Sequence, residues 1–150
     1  MLINGGFLTD ADAYFFSLIM PATQIYLSSR DEVEEKLSEI FASKSGQRVV
    51  LLFEGSTDFA TGDSWDESCR TVETLLEPLL NAAPETTIFL MAEVGREDEW
   101  NDSANFFKRH DTYKVTSLPT LLLLTGATTV SKRLEGEACL NKDALAEFFN

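Results

Sequence analysis

Ser64-Trp65-Asp66-Glu67-Ser68-Cys69-Arg70 follows an apolar run, Val49 to Phe53, and a polar loop, Glu54 to Asp63. Beyond it, Val72, Leu75, Leu76, Leu79 and Leu80 recur at the spacing of one helix face. A buried strand therefore ends in a loop, and a helix starts directly after Trp65. Cys69 falls in the first turn of that helix. Free N–H groups and the positive end of the helix dipole gather there, and both favour a thiolate.

The strand and helix belong to a longer alternation. Thr23 to Leu27 alternates as a short edge strand does. Ser29-Arg30-Asp31-Glu32 has the form of a capping box, with Ser29 accepting from the third helical amide and Glu32 reaching back. Val33, Leu37, Ile40 and Phe41 then give one apolar stripe, and Gly46 is the expected stop. Val49 to Phe53, Thr86 to Val94 and Thr120 to Leu124 are apolar runs of the kind found in strands covered on both faces. Asp102 or Ser103 is expected to open a short helix through Phe106 and Phe107. Thr128 to Leu134 reads as an edge strand, and Asn141 caps a last helix carrying Leu145, Phe148 and Phe149. The order is β-α-β-α-β-α-β-β-α, which predicts an α/β fold: a mixed central sheet, parallel in part, with helices on both faces. Pro78 falls inside the second helix, where it removes one backbone bond and is expected to kink it.

Composition narrows the function classes. At 150 residues, with 44% of them hydrophobic, the chain can bury a sizeable core as one domain. The reading divides it into an N-terminal extension, residues 1–22, and a domain over residues 23–150. A net charge of -13 argues against nucleic acid and anionic membranes as partners, since both demand clustered Lys and Arg. No apolar run approaches the length of a membrane span. Two cysteines, Cys69 and Cys139, are too few for a disulfide framework and fit a reducing compartment or a surface thiol. The Tyr14 to Met20 run lacks the basic residues of a secretory leader or transit peptide. A cytoplasmic location is expected, with an organellar or ciliary assembly reached without a cleaved leader as the alternative. No metal or cofactor is expected: no His/Cys cluster is present, and the spacing of Asp58, Asp63, Asp66 and Glu67 fits no calcium loop. His110, in the run Lys108-Arg109-His110, reads as a cation at a helix C-terminus.

Several segments together resemble the Clot-type thioredoxin-like family of thioredoxin domain-containing protein 17. They are Gly55-Ser56, Asp58, Gly62, Ser64-Trp65 and Cys69; Val94-Gly95 with Trp100; Lys114-Val115-Thr116; Leu118-Pro119-Thr120-Leu121-Leu122; and Glu137-x-Cys139-Leu140. The resemblance runs from about Thr23 to Phe149. It implies a thioredoxin fold with a cis proline at Pro119 facing the helix start, and a peptide-binding groove formed by Trp65, Leu118 and Pro119. It also implies protein-disulfide reduction by a Trp-Cys-Pro-Asp-Cys motif. Against that motif Trp65 and Cys69 match, whereas Asp66 stands at the attacking cysteine, Glu67 at the proline and Ser68 at the aspartate. The family's helix kink falls nearer Thr74 than Pro78, and the span between Trp100 and Lys114 is slightly longer here.

The chemistry of the departure is plain. Disulfide exchange starts with a thiolate attacking sulfur, and a second thiol resolves the mixed disulfide. Cys69 alone is a resolver with nothing to resolve. Asp66 is no useful nucleophile toward a disulfide, but it is a good N-cap, worth about 1 kcal/mol. Asp66 and Glu67 would also raise the pKa of Cys69. Both cysteines then read as small buried apolar residues. Trp65 is expected either to pack against the helix or to form the lip of a groove. The expected function is that of a redox-inactive, protein-binding or structural module, a pseudoenzyme subunit of a larger assembly. The alternative is a thioredoxin-related oxidoreductase, protein-disulfide reductase or monothiol, using Cys69. The expected partners are other protein chains. They dock on the apolar extension through Phe7, Tyr14, Phe15 and Phe16, whose surface a solitary domain would not leave in water.

Overall fold

The structure is a computed structural model that describes residues 22–43 and 48–150, and the backbone of two short antiparallel strands, β1 (Leu2–Ile3) and β2 (Gly6–Phe7). The domain is built on a five-stranded sheet ordered β3-β7-β4-β8-β9: β3 is Thr23–Leu27, β4 Arg48–Glu54, β7 Thr87–Glu93, β8 Thr120–Gly126 and β9 Thr129–Glu135. β3 and β4 run parallel to β7, while β8 is antiparallel to β4 and to β9. The sheet is thus mixed, and β3 and β9 are its edges, as the sequence leads one to expect.

Alternation along the strands splits the core in two. Val49, Leu51 and Phe53 of β4 face one way, with Val33 and Leu37 of α1 (Arg30–Ala42) and with Trp100, Phe107 and Tyr113. Val50 and Leu52 face the other way, with Val72, Leu76 and Leu80 of α2 (Glu67–Ala82) and with Leu145 and Phe148 of α5 (Lys142–Phe148). Every side chain of Val49 to Phe53 is fully buried. Each such residue withdraws on the order of 1.5–3 kcal/mol of apolar surface from water, which is why a continuous run rather than an alternating one marks this strand.

Local chemistry sets the helix boundaries, with some departures from expectation. Ser29 accepts from the Glu32 amide at 3.2 Å, but Glu32 reaches back one residue further than a strict capping box, to the Ser28 amide at 2.7 Å. α1 ends at Ala42 with Ser43 as its C-cap, earlier than Gly46, which lies outside the described residues. The expected helix from Asp102 or Ser103 is instead two short ones, α3 (Glu97–Asn101) and α4 (Phe106–Arg109). Asp102 ends the first, and Asn105 caps the second by accepting from the Phe107 amide at 3.0 Å. α2 runs continuously through Pro78. His110 does stand at the end of α4, but as a hydrogen-bond hub: Nδ1 accepts from the Thr112 and Tyr113 amides and Nε2 lies 3.1 Å from Glu34.

Candidate functional site: a buried thiol beneath a capped helix

The end of β4 is held to the start of α2 by a small set of backbone-directed bonds. Between them runs a hairpin, β5 (Thr57–Asp58) and β6 (Asp63–Ser64), turned by Gly62 at φ 77°. Ser64 Oγ donates to the Gly55 carbonyl at 2.7 Å, and Arg70 Nη1 donates to the Ser64 carbonyl at 2.7 Å. Ser56 and Gly95 clasp the adjacent loop reciprocally: the Ser56 amide donates to the Gly95 carbonyl and Ser56 Oγ accepts from the Gly95 amide, each at 3.0 Å. Gly95 has φ 117°, a left-handed conformation that disfavours any residue with a Cβ.

Trp65 neither covers α2 nor stands free. Its indole lies against Gly55, so close that a Cβ there would sit 2.6 Å from Cε2. Nε1 donates to the Gly95 carbonyl at 2.9 Å, and the ring packs on the core cluster opposite α2, which Leu118 also joins. One edge remains open to a cavity of about 390 Å³, bordered by Asp58, Phe59, Glu93 and Arg96. Phe59, at the hairpin tip, is fully exposed.

Asp66 is the N-cap of α2, and its carboxylate accepts from the Cys69 amide at 2.9 Å. Cys69 has no exposed surface. Burial raises its thiol well above the ordinary range. A backbone hydrogen bond from Gly55 opposes the shift, while Asp66, through a hydrogen bond and its charge, and the charge of Glu54 add to it. The helix-start effect that favours a thiolate is therefore outweighed. Cys139 is equally buried. Its thiol donates to the Leu134 carbonyl at 3.3 Å and the Pro119 carbonyl at 3.5 Å, and burial pushes it up to about 11.

The Leu118–Pro119 bond is cis. Phe53 pairs with Thr120, so Pro119 comes at the same end of the sheet as Glu54 and the start of α2. Pro119 is buried and its carbonyl accepts from the Gly136 amide at 2.8 Å, whereas Leu118 is half-buried. Of the residues expected to dock a partner, Tyr14, Phe15 and Phe16 lie outside the described residues, and for Phe7 only the backbone pairing with Leu2 is described. Asp58, Asp63 and Glu67 are exposed, and among the described residues no acidic, His or Cys cluster has the arrangement of a metal site.

Sequence reasoning passed over Glu54, taking it as the first residue of the polar loop. It is the last residue of β4 and only 2% exposed. With Glu54 and its neighbours ionised, Oε2 has no donor. Burial raises its carboxyl to about 9, and Glu73, through a hydrogen bond and its charge, and the charge of Glu93 add to the shift. Raised in this way, the Glu54 carboxyl keeps a proton that it shares with Glu73.

Solved thioredoxins define the class. A poplar thioredoxin h superposes with TM-score 0.55 over 85% of this chain and 93% of that one, at 21% identity. Thioredoxin O2 of Arabidopsis thaliana does so with TM-score 0.57 over 86% and 96%, at 17% identity. The fold is that of thioredoxin. Residues 27–150 match the model of the thioredoxin domain-containing protein 17-like thioredoxin domain, and the chain belongs to that family. Thioredoxin domain-containing protein 17 of Danio rerio is 30% identical over 77% of this chain and 88% of its own length, and that of Epinephelus coioides 29% over 84% and 94%. The thioredoxin-like protein Clot of Arabidopsis thaliana is 28% identical over 69% and 78%.

Proposed function

We propose that this chain is a redox-inactive member of its family, serving as a protein-binding module within a larger assembly in the cytoplasm. The observation that carries this reading is the state of Cys69: fully buried, held protonated, and preceded by a carboxylate where an attacking thiol is needed. Attack on a disulfide requires an accessible thiolate, and neither condition is met. The oxidoreductase alternative requires the sulfur of Cys69 to reach a substrate, which its burial opposes.

Binding has its own support. A fully exposed Phe59 stands over the cavity beside Trp65, and Leu118 and cis Pro119 occupy the sheet end near the helix start. On this reading these residues receive a partner segment. The domain is residues 23–150, and residues 1–22 are a docking extension using Phe7, Tyr14, Phe15 and Phe16. Insulin reduction with dithiothreitol as electron donor tests the redox half. No acceleration over dithiothreitol alone is expected, and turnover that Cys69→Ser abolishes would refute it.

A further inference from the structure

The sheet face beneath α2 changes character along its strands. Leu52 of β4 and Phe89 and Met91 of β7 are apolar, but the next residues on this face, Glu54 and Glu93, are acids and lie directly opposite each other in register. Tyr26 of the edge strand β3 projects to the same side and is 61% exposed. Between β3 and α2 runs a groove of about 310 Å³ whose polar lining is Gln24, Tyr26, Glu73, Glu77 and Asn81. Glu54, with its undonated oxygen, lies behind Glu73. Burial raises the Tyr26 phenol above its ordinary value, and the charges of Glu73, Glu54 and Glu93 add to the shift. Among the described residues no ion pair includes Glu54, Glu73, Glu77 or Glu93.

A buried carboxylate without a cationic partner is costly; Glu54 is the buried member of this group, with Glu73 and Glu93 half-buried in front of it and Glu77 exposed. We propose that this groove is a binding site for the guanidinium or ammonium group of a basic segment of a partner protein, seated on Glu73 and Glu77 against the Tyr26 ring.

Charge complementarity selects that occupant. Residues 1–21 contain neither Lys nor Arg, so the chain's own extension brings no side-chain cation. A second copy, at net charge -13, is repelled as a whole. Tyr26 offers an aromatic face for a cation–π contact, and β3 has no strand paired to its outer edge among the described residues, leaving backbone groups to fix an extended segment. The cation takes the place of the proton shared by Glu54 and Glu73, so binding releases a proton and tightens as pH rises toward about 9. The groups that enter this linkage with Glu54 are Glu73 and Cys69 from α2, Glu93 from β7 and Tyr26 from β3.

The test is an NMR titration of the isotopically labelled full chain with a Gly-Ser peptide carrying one central Arg, its norleucine counterpart, and spermidine. The Arg peptide is expected to shift the amides of Tyr26, Glu73 and Glu77, to bind more tightly at higher pH, and to weaken about tenfold or more in both Glu73→Gln and Glu77→Gln. The norleucine peptide is expected to leave these amides unmoved. Unchanged affinity in both variants, or shifts centred on the exposed acids of α3, would overturn the site. Spermidine binding as tightly as the peptide would overturn the protein-segment occupant.

Discussion

The Cys69 amide donates to the Asp66 carboxylate at 2.9 Å, so the residue that stabilises the helix is also the one that discourages the thiolate within it. The two roles separate on substitution. Asp66→Ala loses cap and charge, and is expected to destabilise the domain by about 1 kcal/mol. Asp66→Asn keeps a cap of similar quality and loses only the charge, so stability is retained while Cys69 becomes more acidic. Urea denaturation and thiol titration of the two variants check this.

Asp66→Cys places a second thiol where the cap now sits. It is expected to form a disulfide with Cys69 under mild oxidation, because β4 and Trp65 supply the surrounding frame. Quantitation of free thiols reads the outcome, and two persistent free thiols at residues 66 and 69 would contradict it.

Gly55→Ala tests the seating of Trp65. The new methyl would stand 2.6 Å from Cε2 and 2.7 Å from Nε1, so the indole must move and its bond to Gly95 must lengthen or break. The expected cost is about 1–3 kcal/mol, the range for overpacking a close contact. A change in tryptophan fluorescence should accompany it.

Glu54→Gln addresses the buried acid. Its carboxyl, raised to about 9 in the folded chain, holds a proton that the unfolded chain releases near the ordinary carboxylate value. Between those values the folded state binds more protons, so stability falls as pH rises, at up to about 1.4 kcal/mol per pH unit. Glutamine keeps a donor for Glu73 without an ionisable proton. Denaturation between about pH 6 and pH 8.5 should show a loss of stability in the natural chain and a flatter profile in the variant.

How far the sequence was readable depended on periodicity. The inner strands of the sheet were visible because a doubly covered strand must be apolar throughout, as Val49 to Phe53 is. The caps at Ser29, Asp66 and Asn141 were visible because their side chains satisfy amides three residues ahead, a local pattern. Glu54 was not, because a charged residue after an apolar run looks the same whether it enters a loop or ends a strand. The groups that act on its carboxyl, Glu73 and Glu93, lie far along the chain. The break between α3 and α4 was missed because Asn105 and Asp102 are each competent cap residues, and only the bonds of Asn105 Nδ2 to the Val94 and Glu99 carbonyls show where the turn closes. The contact of Trp65 with Gly55 likewise comes from the packing of two loops, for which local sequence carries no signal.

The reading of Cys69 as a shielded, protonated thiol is tested most directly by its alkylation kinetics in native protein, in a Cys139→Ser background that leaves a single sulfur to follow. At neutral pH, modification by iodoacetamide should be roughly a hundredfold or more slower than in concentrated urea, and limited by opening of the fold. Reaction at a rate close to that of an unfolded thiol, with an apparent pKa below the ordinary cysteine value, would contradict it.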